Sequence, residues 1–198
     1  EHDILQGYYG AYSKIYYDDR RKKRKDFLFV GSLSKRKGFD NLIVAFKSLK
    51  QKFPGISSQL HVIGDGDLRY LAQNIDDVVL HGFLQPDEVA NYMRDNYFFV
   101  APSKLDHWCT AVCEAAACEQ YIITTKETGA YYDVITEGIN GVSVDGVNSL
   151  RSQMEDCVNM SKDELNLARK ISVANSAQVL IISSDMSLTS LLFENGLI

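Results

Sequence analysis

The stretch Ala101-Pro-Ser-Lys-Leu-Asp-His-Trp-Cys-Thr-Ala-Val-Cys-Glu-Ala115 starts where an apolar run, Tyr97 to Val100, ends, and it leaves through small residues with a helical pattern. Strand, polar loop and helix N-terminus in that order make a place where a phosphate meets free backbone N–H groups and the positive end of a helix dipole. Asp106 and Glu114, eight positions apart, flank the junction, and a carboxylate on each side suits ligand hydroxyls. By position alone, Asp106 also reads as a loop or capping residue and Glu114 as an exposed helix glutamate.

Outward from this junction, strand-like and helix-like segments alternate with short punctuation, the pattern of a parallel sheet with crossover helices. Phe27 to Val30 is the first buried strand, and Gly38 to Lys52 its helix, with Leu42, Ala45, Phe46 and Leu49 at core spacing. Gln59 to Ile63 follows, closed by Gly64-Asp-Gly66, then a short helix from Leu68 to Asn74. Val78 to His81 and Tyr97 to Val100 bracket a helix that starts near Pro86-Asp-Glu. Ala111 to Cys118 (helix), Tyr121 to Thr125 and Gly141 to Val144 (strands) continue the alternation. After Ser149 the pattern is helical, with Leu150, Met154, Cys157 and Val158 on one side, and a second helical segment begins at Lys162. Val179 to Ile182 fits a strand or a helix interior and is assigned to helix. The fold class is α/β: a Rossmann-like parallel sheet with helices on both faces.

The 198 residues, 45% hydrophobic and 11% aromatic, are enough for a real core. With 26 acidic against 21 basic residues the net charge is −5, which disfavours a nucleic-acid partner bound by bulk charge and points to a small anionic ligand. Cys109, Cys113 and Cys118 lie on one predicted helix, and with Cys157 they read as reduced packing thiols. No Cys-x-x-Cys pair occurs and the four histidines are scattered, so no metal site is expected. No apolar run approaches the ~20 residues of a membrane span, and Glu1-His-Asp does not open a signal peptide, so a cytoplasmic location is expected.

Gln6 to Tyr17 is rich in tyrosine, and Arg20-Arg-Lys-Lys-Arg-Lys25 forms a basic run that reads as a solvated linker and a domain boundary. The expected organisation is a linker over 1–25, a Rossmann-like unit over 26–160 and C-terminal helices over 161–198. Gly64-Asp-Gly66 permits close approach of a ligand, but the third small residue of a dinucleotide fingerprint is absent near Arg69, which lowers the dehydrogenase reading. Phosphate-loop and nucleophile-elbow motifs are also absent, excluding common nucleoside triphosphatase and hydrolase designs.

Phe29-Val-Gly-Ser-Leu-Ser-Lys-Arg-Lys-Gly38, Val62-Ile-Gly-Asp-Gly66, Leu80-His-Gly-Phe-Leu84, Val100-Ala-Pro-Ser103 and Asp106 to Glu114, in that order, resemble the C-terminal half of a retaining GT-B glycosyltransferase of family four. The resemblance covers roughly Phe27 to Met160 and implies a nucleotide-diphospho-sugar donor. It places Asp106 against the sugar, Glu114 against the ribose and Lys37 against the diphosphate, as the catalytic set. The donor contacts it implies further comprise Gly31, Ser32, Gly64, Gly66, the base-side pair Gly82 and Phe83, and the loop residues Trp108, Cys109 and Thr110. Gly129-Ala130 and Asp133 resemble a later donor-side loop.

Three positions depart from the family pattern. Asp106 is one methylene shorter than the usual glutamate, Cys109 replaces a glycine, and Ser32 replaces the companion arginine, leaving Lys35 or Arg36 as a second cation. A cysteine there requires either ordinary dihedrals or a shifted loop. Trp108 reads equally as a ligand contact or a packed aromatic, and Lys37 alone also fits a solvated loop. The resemblance implies helix dipole and basic side chains on the diphosphate, so no cofactor or metal is expected. It implies a glycan or lipid-linked acceptor held by an N-terminal domain outside this sequence, through which the full-length protein contacts a membrane peripherally. The alternatives are a GT-B-like epimerase domain and a non-catalytic sugar-nucleotide-binding module.

Overall fold

A computed structural model describes residues 23–180. Six strands build one sheet: β1 (Arg24–Val30), β2 (Leu60–Ile63), β3 (Val78–Gly82), β4 (Asn96–Ala101), β5 (Tyr121–Thr124) and β6 (Gly141–Ser143). Their spatial order is β3-β2-β1-β4-β5-β6, and every pair is parallel. The chain builds outward from β1 to β3, then crosses back to lay β4 on the other side of β1. That reversal opens a crevice at the carboxyl ends of β1 and β4, where doubly wound sheets take their ligands.

The helices are α1 (Phe39–Lys52), α2 (Pro86–Asp95), α3 (Thr110–Ala117), α4 (Tyr131–Val134), α5 (Val147–Asn159) and α6 (Lys162–Leu180), with a 3₁₀ turn at Arg69–Ala72. Strand side chains point alternately to opposite faces, so Phe27 and Phe29 enter one core while Leu28 enters another. The first core packs Phe27, Phe98 and Val100 against Phe46 and Leu49 of α1 and Leu150 and Met154 of α5. Rings of Phe27 and Phe98 lie 5.2 Å apart, close enough to add to the area they bury. The second core packs Leu28, Phe99 and Ile122 against Met93 of α2, Val112 and Ala116 of α3 and Val134 of α4. Helix α6 lies along α3 and α4 and reaches β5. Continuous apolar strands follow from having both faces covered.

Local signals place the helix starts. Pro86 sits in the first turn of α2 behind a reciprocal capping box between Gln85 and Glu88, and Ser161 with Glu164 closes a second box ahead of α6. The short helix expected over 68–74 is a single 3₁₀ turn, Arg69–Ala72, because the chain must turn toward β3 within a few residues. Helix α4 has only four residues, too few for a periodic signal. Of the segment assigned to helix at 179–182, Val179 and Leu180 lie in α6, and the rest falls outside the described residues.

The basic run departs from its expected solvated state. Its members 20–22, like the tyrosine-rich segment, lie outside the described residues, but Arg24 and Lys25 belong to β1 and Lys23 turns inward. Lys23 Nζ donates to the carbonyls of Cys118 (2.7 Å), Arg94 (2.9 Å), Met93 (3.3 Å) and Asn96 (3.3 Å), where α2 and α3 end. Lys25 Nζ does the same for α5 through Met160 (2.7 Å) and Val158 (3.0 Å). A helix C-terminus leaves orphan carbonyls and partial negative charge, and an ammonium satisfies both. Burial pushes the Lys23 pKa down to about 8 against the pull of nearby Cys118 and Glu119. Among the described residues no helix is long and apolar enough to cross a membrane.

Candidate donor-binding site

The loops leaving the carboxyl ends of the strands hold one another by main-chain hydrogen bonds. From the β1–α1 loop, Gly31 N donates to Ile63 O (3.0 Å) and Leu33 N to Asp65 O (3.0 Å), tying it to the β2 loop. Lys104 N donates to Arg36 O (2.8 Å), joining the β1 and β4 loops across the crevice. The β5 loop braces the opposite side: Asp106 N donates to Glu127 O (3.1 Å), Gly129 N to Asp106 O (3.0 Å) and Ala130 N to Trp108 O (2.9 Å). Sequence reading named Gly129 and Ala130 but not their work, which is to fix the main chain of the motif itself.

Two glycines set how close these loops come. Gly38 caps α1 in the left-handed region (φ 68), and a Cβ there would lie 1.8 Å from the Pro102 carbonyl oxygen. At Gly64 (φ 127) a Cβ would lie 2.1 Å from the Gly31 oxygen. Neither position admits a side chain without moving backbone.

Into this frame the chain projects Lys37 and Asp106, adjacent in space though 69 apart in sequence. Lys37 Nζ donates to Asp106 Oδ2 in a close ion pair, with side-chain exposures of 19% and 12%. Burial alone would push the Asp106 carboxyl up, but the Lys37 hydrogen bond and charge prevail and hold it below the usual aspartate range. The switch point therefore holds two opposite charges in contact, one on each side of the crevice.

Cys109 adopts φ 66, ψ 74 immediately before α3. The loop has kept the left-handed turn, so the cysteine sits where glycine is conformationally free. No side chain caps the α3 N-terminus, which opens toward the loop at Thr110. Burial first, then the negative charge of Asp106, pushes the Cys109 thiol up to about 12 and keeps it protonated. Trp108 is half-buried and packs against the second core. Glu114 stands half-buried on the second turn of α3.

The remaining expected contacts lie along the same rim. Ser32 is exposed and Gly31 partly so on the β1 loop, and Gly66 closes the β2 loop. Gly82 ends β3 with φ 72, and Phe83 beside it is 84% exposed. Strand order puts Phe83 three strand intervals from the Asp106 loop, about 14 Å at the usual spacing, so these two do not meet. Of the candidates for a second cation, Arg36 reaches the Leu105 carbonyl (3.3 Å) and Lys35 is exposed on the same loop. Among the described residues no group of three or more histidine, cysteine, aspartate or glutamate side chains is arranged to hold a metal ion.

A cluster that sequence reading left scattered lies under β3. His61 Nδ1 and His81 Nε2 are 3.0 Å apart, and Tyr92 of α2 covers both rings. His61 Nε2 lies 3.6 Å from Asp26 Oδ2. Two histidines twenty positions apart carry no pairing signal until β2 and β3 are set in register.

Family and structural comparisons agree with this architecture. The family model described as glycosyl transferases group 1 matches residues 18–178, and the chain belongs to that family. It is 30% identical over 140 residues to an uncharacterized glycosyltransferase, MJ1178, of Methanocaldococcus jannaschii, covering 67% of this chain and 38% of that protein. The chain thus spans well under half the length of this curated relative. The C-terminal domain of a glycosyl transferase group 1 family protein from Francisella tularensis superposes with a TM-score of 0.67 at 19% identity, covering 88% of this chain and 96% of that one. HepE from Anabaena, solved with UDP and glucose, superposes with a TM-score of 0.72 at 16% identity, covering 91% of this chain and 55% of that one. The fold is that of the C-terminal half of a GT-B protein.

Proposed function

We propose that this chain is the donor-binding half of a glycosyltransferase that moves a sugar from a nucleotide-diphospho-sugar to an acceptor with retention of configuration. The observation that carries the proposal is the meeting of Lys37 and Asp106 at the β1/β4 switch point, beside the uncapped N-terminus of α3. A diphosphate there gains a cation and a helix dipole. As the bond between the anomeric carbon and the diphosphate oxygen breaks, negative charge grows on that oxygen, and Lys37 is placed to stabilise it. Asp106 accepts hydrogen bonds from sugar hydroxyls, Glu114 from the ribose, and the Gly82–Phe83 corner lies against the base. No divalent ion takes part in this scheme. Acceptor binding falls to a domain outside this sequence, and peripheral contact of the full-length protein with a membrane, from the cytoplasmic side, would run through that domain.

The family assignment and the UDP and glucose held by HepE support this reading. Its test is calorimetric titration of the 198-residue chain with UDP, GDP and ADP. One of the three is expected to bind, and Lys37→Ala and Glu114→Ala to weaken it about tenfold or more, a loss of at least ~1.4 kcal/mol each. Failure of all three to bind, or undiminished binding by both variants, overturns the proposal. Full-length protein that isomerises the donor without an added acceptor would point instead to an epimerase.

A further inference from the structure

The scheme above gives Lys37 and Asp106 to different parts of one ligand, yet the fold bonds them to each other. Asp106 has little freedom to serve both partners at once. Its N–H is held by Glu127 and its carbonyl by Gly129, so movement is left to the two side-chain torsions of a carboxylate that also takes hydrogen bonds from the Cys109 thiol and the Trp108 N–H. Lys37 is anchored just before Gly38, whose own position is fixed against Pro102. Both side chains are mostly shielded, and a mostly shielded ion pair resists separation unless a substitute charge replaces the lost partner.

Resting on the donor-site reading, we propose that Asp106 is the resting counter-ion of Lys37, and that the donor engages by partner exchange. Diphosphate oxygens take over the ammonium, and the released carboxylate turns to accept hydrogen bonds from the sugar hydroxyls. Nucleotide and sugar recognition are then coupled: the diphosphate must displace Asp106, and only a donor carrying a sugar gives the displaced carboxylate new donors. A free nucleoside diphosphate leaves that carboxylate close to its own negative charge. The site therefore discriminates against bare nucleoside diphosphate through repulsion as well as attraction. The aspartate that departs from the family glutamate is the residue that does this.

The test titrates wild-type chain, Asp106→Asn and Lys37→Ala with inorganic pyrophosphate and UDP, GDP and ADP, then with UDP-glucose and GDP-mannose. Removing the carboxylate charge should tighten pyrophosphate and the bound nucleoside diphosphate by about two- to fivefold, the scale of a partly exposed ion pair. The same change should reduce the preference for the sugar-bearing form over the bare diphosphate toward one. A residue that merely supports the loop would weaken both ligands together. Thermal unfolding verifies that Asp106→Asn is folded, and Asp106→Ser repeats the experiment if it is not. If Lys37→Ala weakens the nucleotide but neither Asp106 variant tightens it, the exchange is wrong and the donor site stands. If Lys37→Ala has no effect, the exchange falls; if no probe binds, or Glu114→Ala is undiminished as well, the donor site itself falls with it.

Discussion

At Cys109 the left-handed turn is retained with a side chain that pays about 1 kcal/mol or more for it. Substitution isolates this cost. Cys109→Gly and Cys109→Ala both remove the thiol, and glycine ordinarily loses to alanine through chain entropy. Here the order should invert, with Cys109→Gly more stable than Cys109→Ala by about 1 kcal/mol in urea unfolding. Equal stabilities, or alanine ahead, would mean that the loop relaxes out of the turn. The sequence showed that a cysteine stands in a glycine's place, but not which dihedrals it takes, because those follow from the braces that the β5 loop lays on Asp106 and Trp108. Asp106 and Lys37 were legible as separate candidates; their bond was not, since nothing in the residue types says that loops 69 apart meet.

Among the elements, most strands and helices could be read from short apolar runs and core spacing, since two covered faces demand them. Strand β1 is the instructive exception, for it begins at Arg24 among charged residues instead of at Phe27. Parallel pairing of Arg24 with Asn96 and the inward grip of Lys23 and Lys25 outweigh the poor strand preference of that segment. Lys23→Met keeps the apolar stem but abandons four carbonyls, and it should destabilise the chain by about 1–3 kcal/mol. Denaturant unfolding measures this, and a change within a few tenths of a kcal/mol would show that water serves those carbonyls equally well.

For the whole molecule, the buried thiols fix the alkaline limit. Burial pushes Cys113 and Cys118 up to about 12 from an ordinary value near 9, and Cys157 is raised further. Their folded values are raised, so stability is fully present below pH ~9 and is lost as pH climbs toward the folded values, by about 1.4 kcal/mol per pH unit for each thiol. Lys23 acts in the opposite sense. Its folded value of about 8 lies below the ordinary 10.5, so folding gains as pH rises between these limits. Several thiols outweigh one lysine, and the urea midpoint should fall steadily above pH 9; a flat profile to pH 11 would contradict the assignment. The two lysines that open β1 also say where this chain can be cut. Lys23 fastens helices on one face of the sheet and Lys25 a helix on the other, so the segment ahead of the first apolar strand works as a two-sided staple. A shortened chain starting at residue 26 would keep every core residue of the sheet and still come loose at three helix ends.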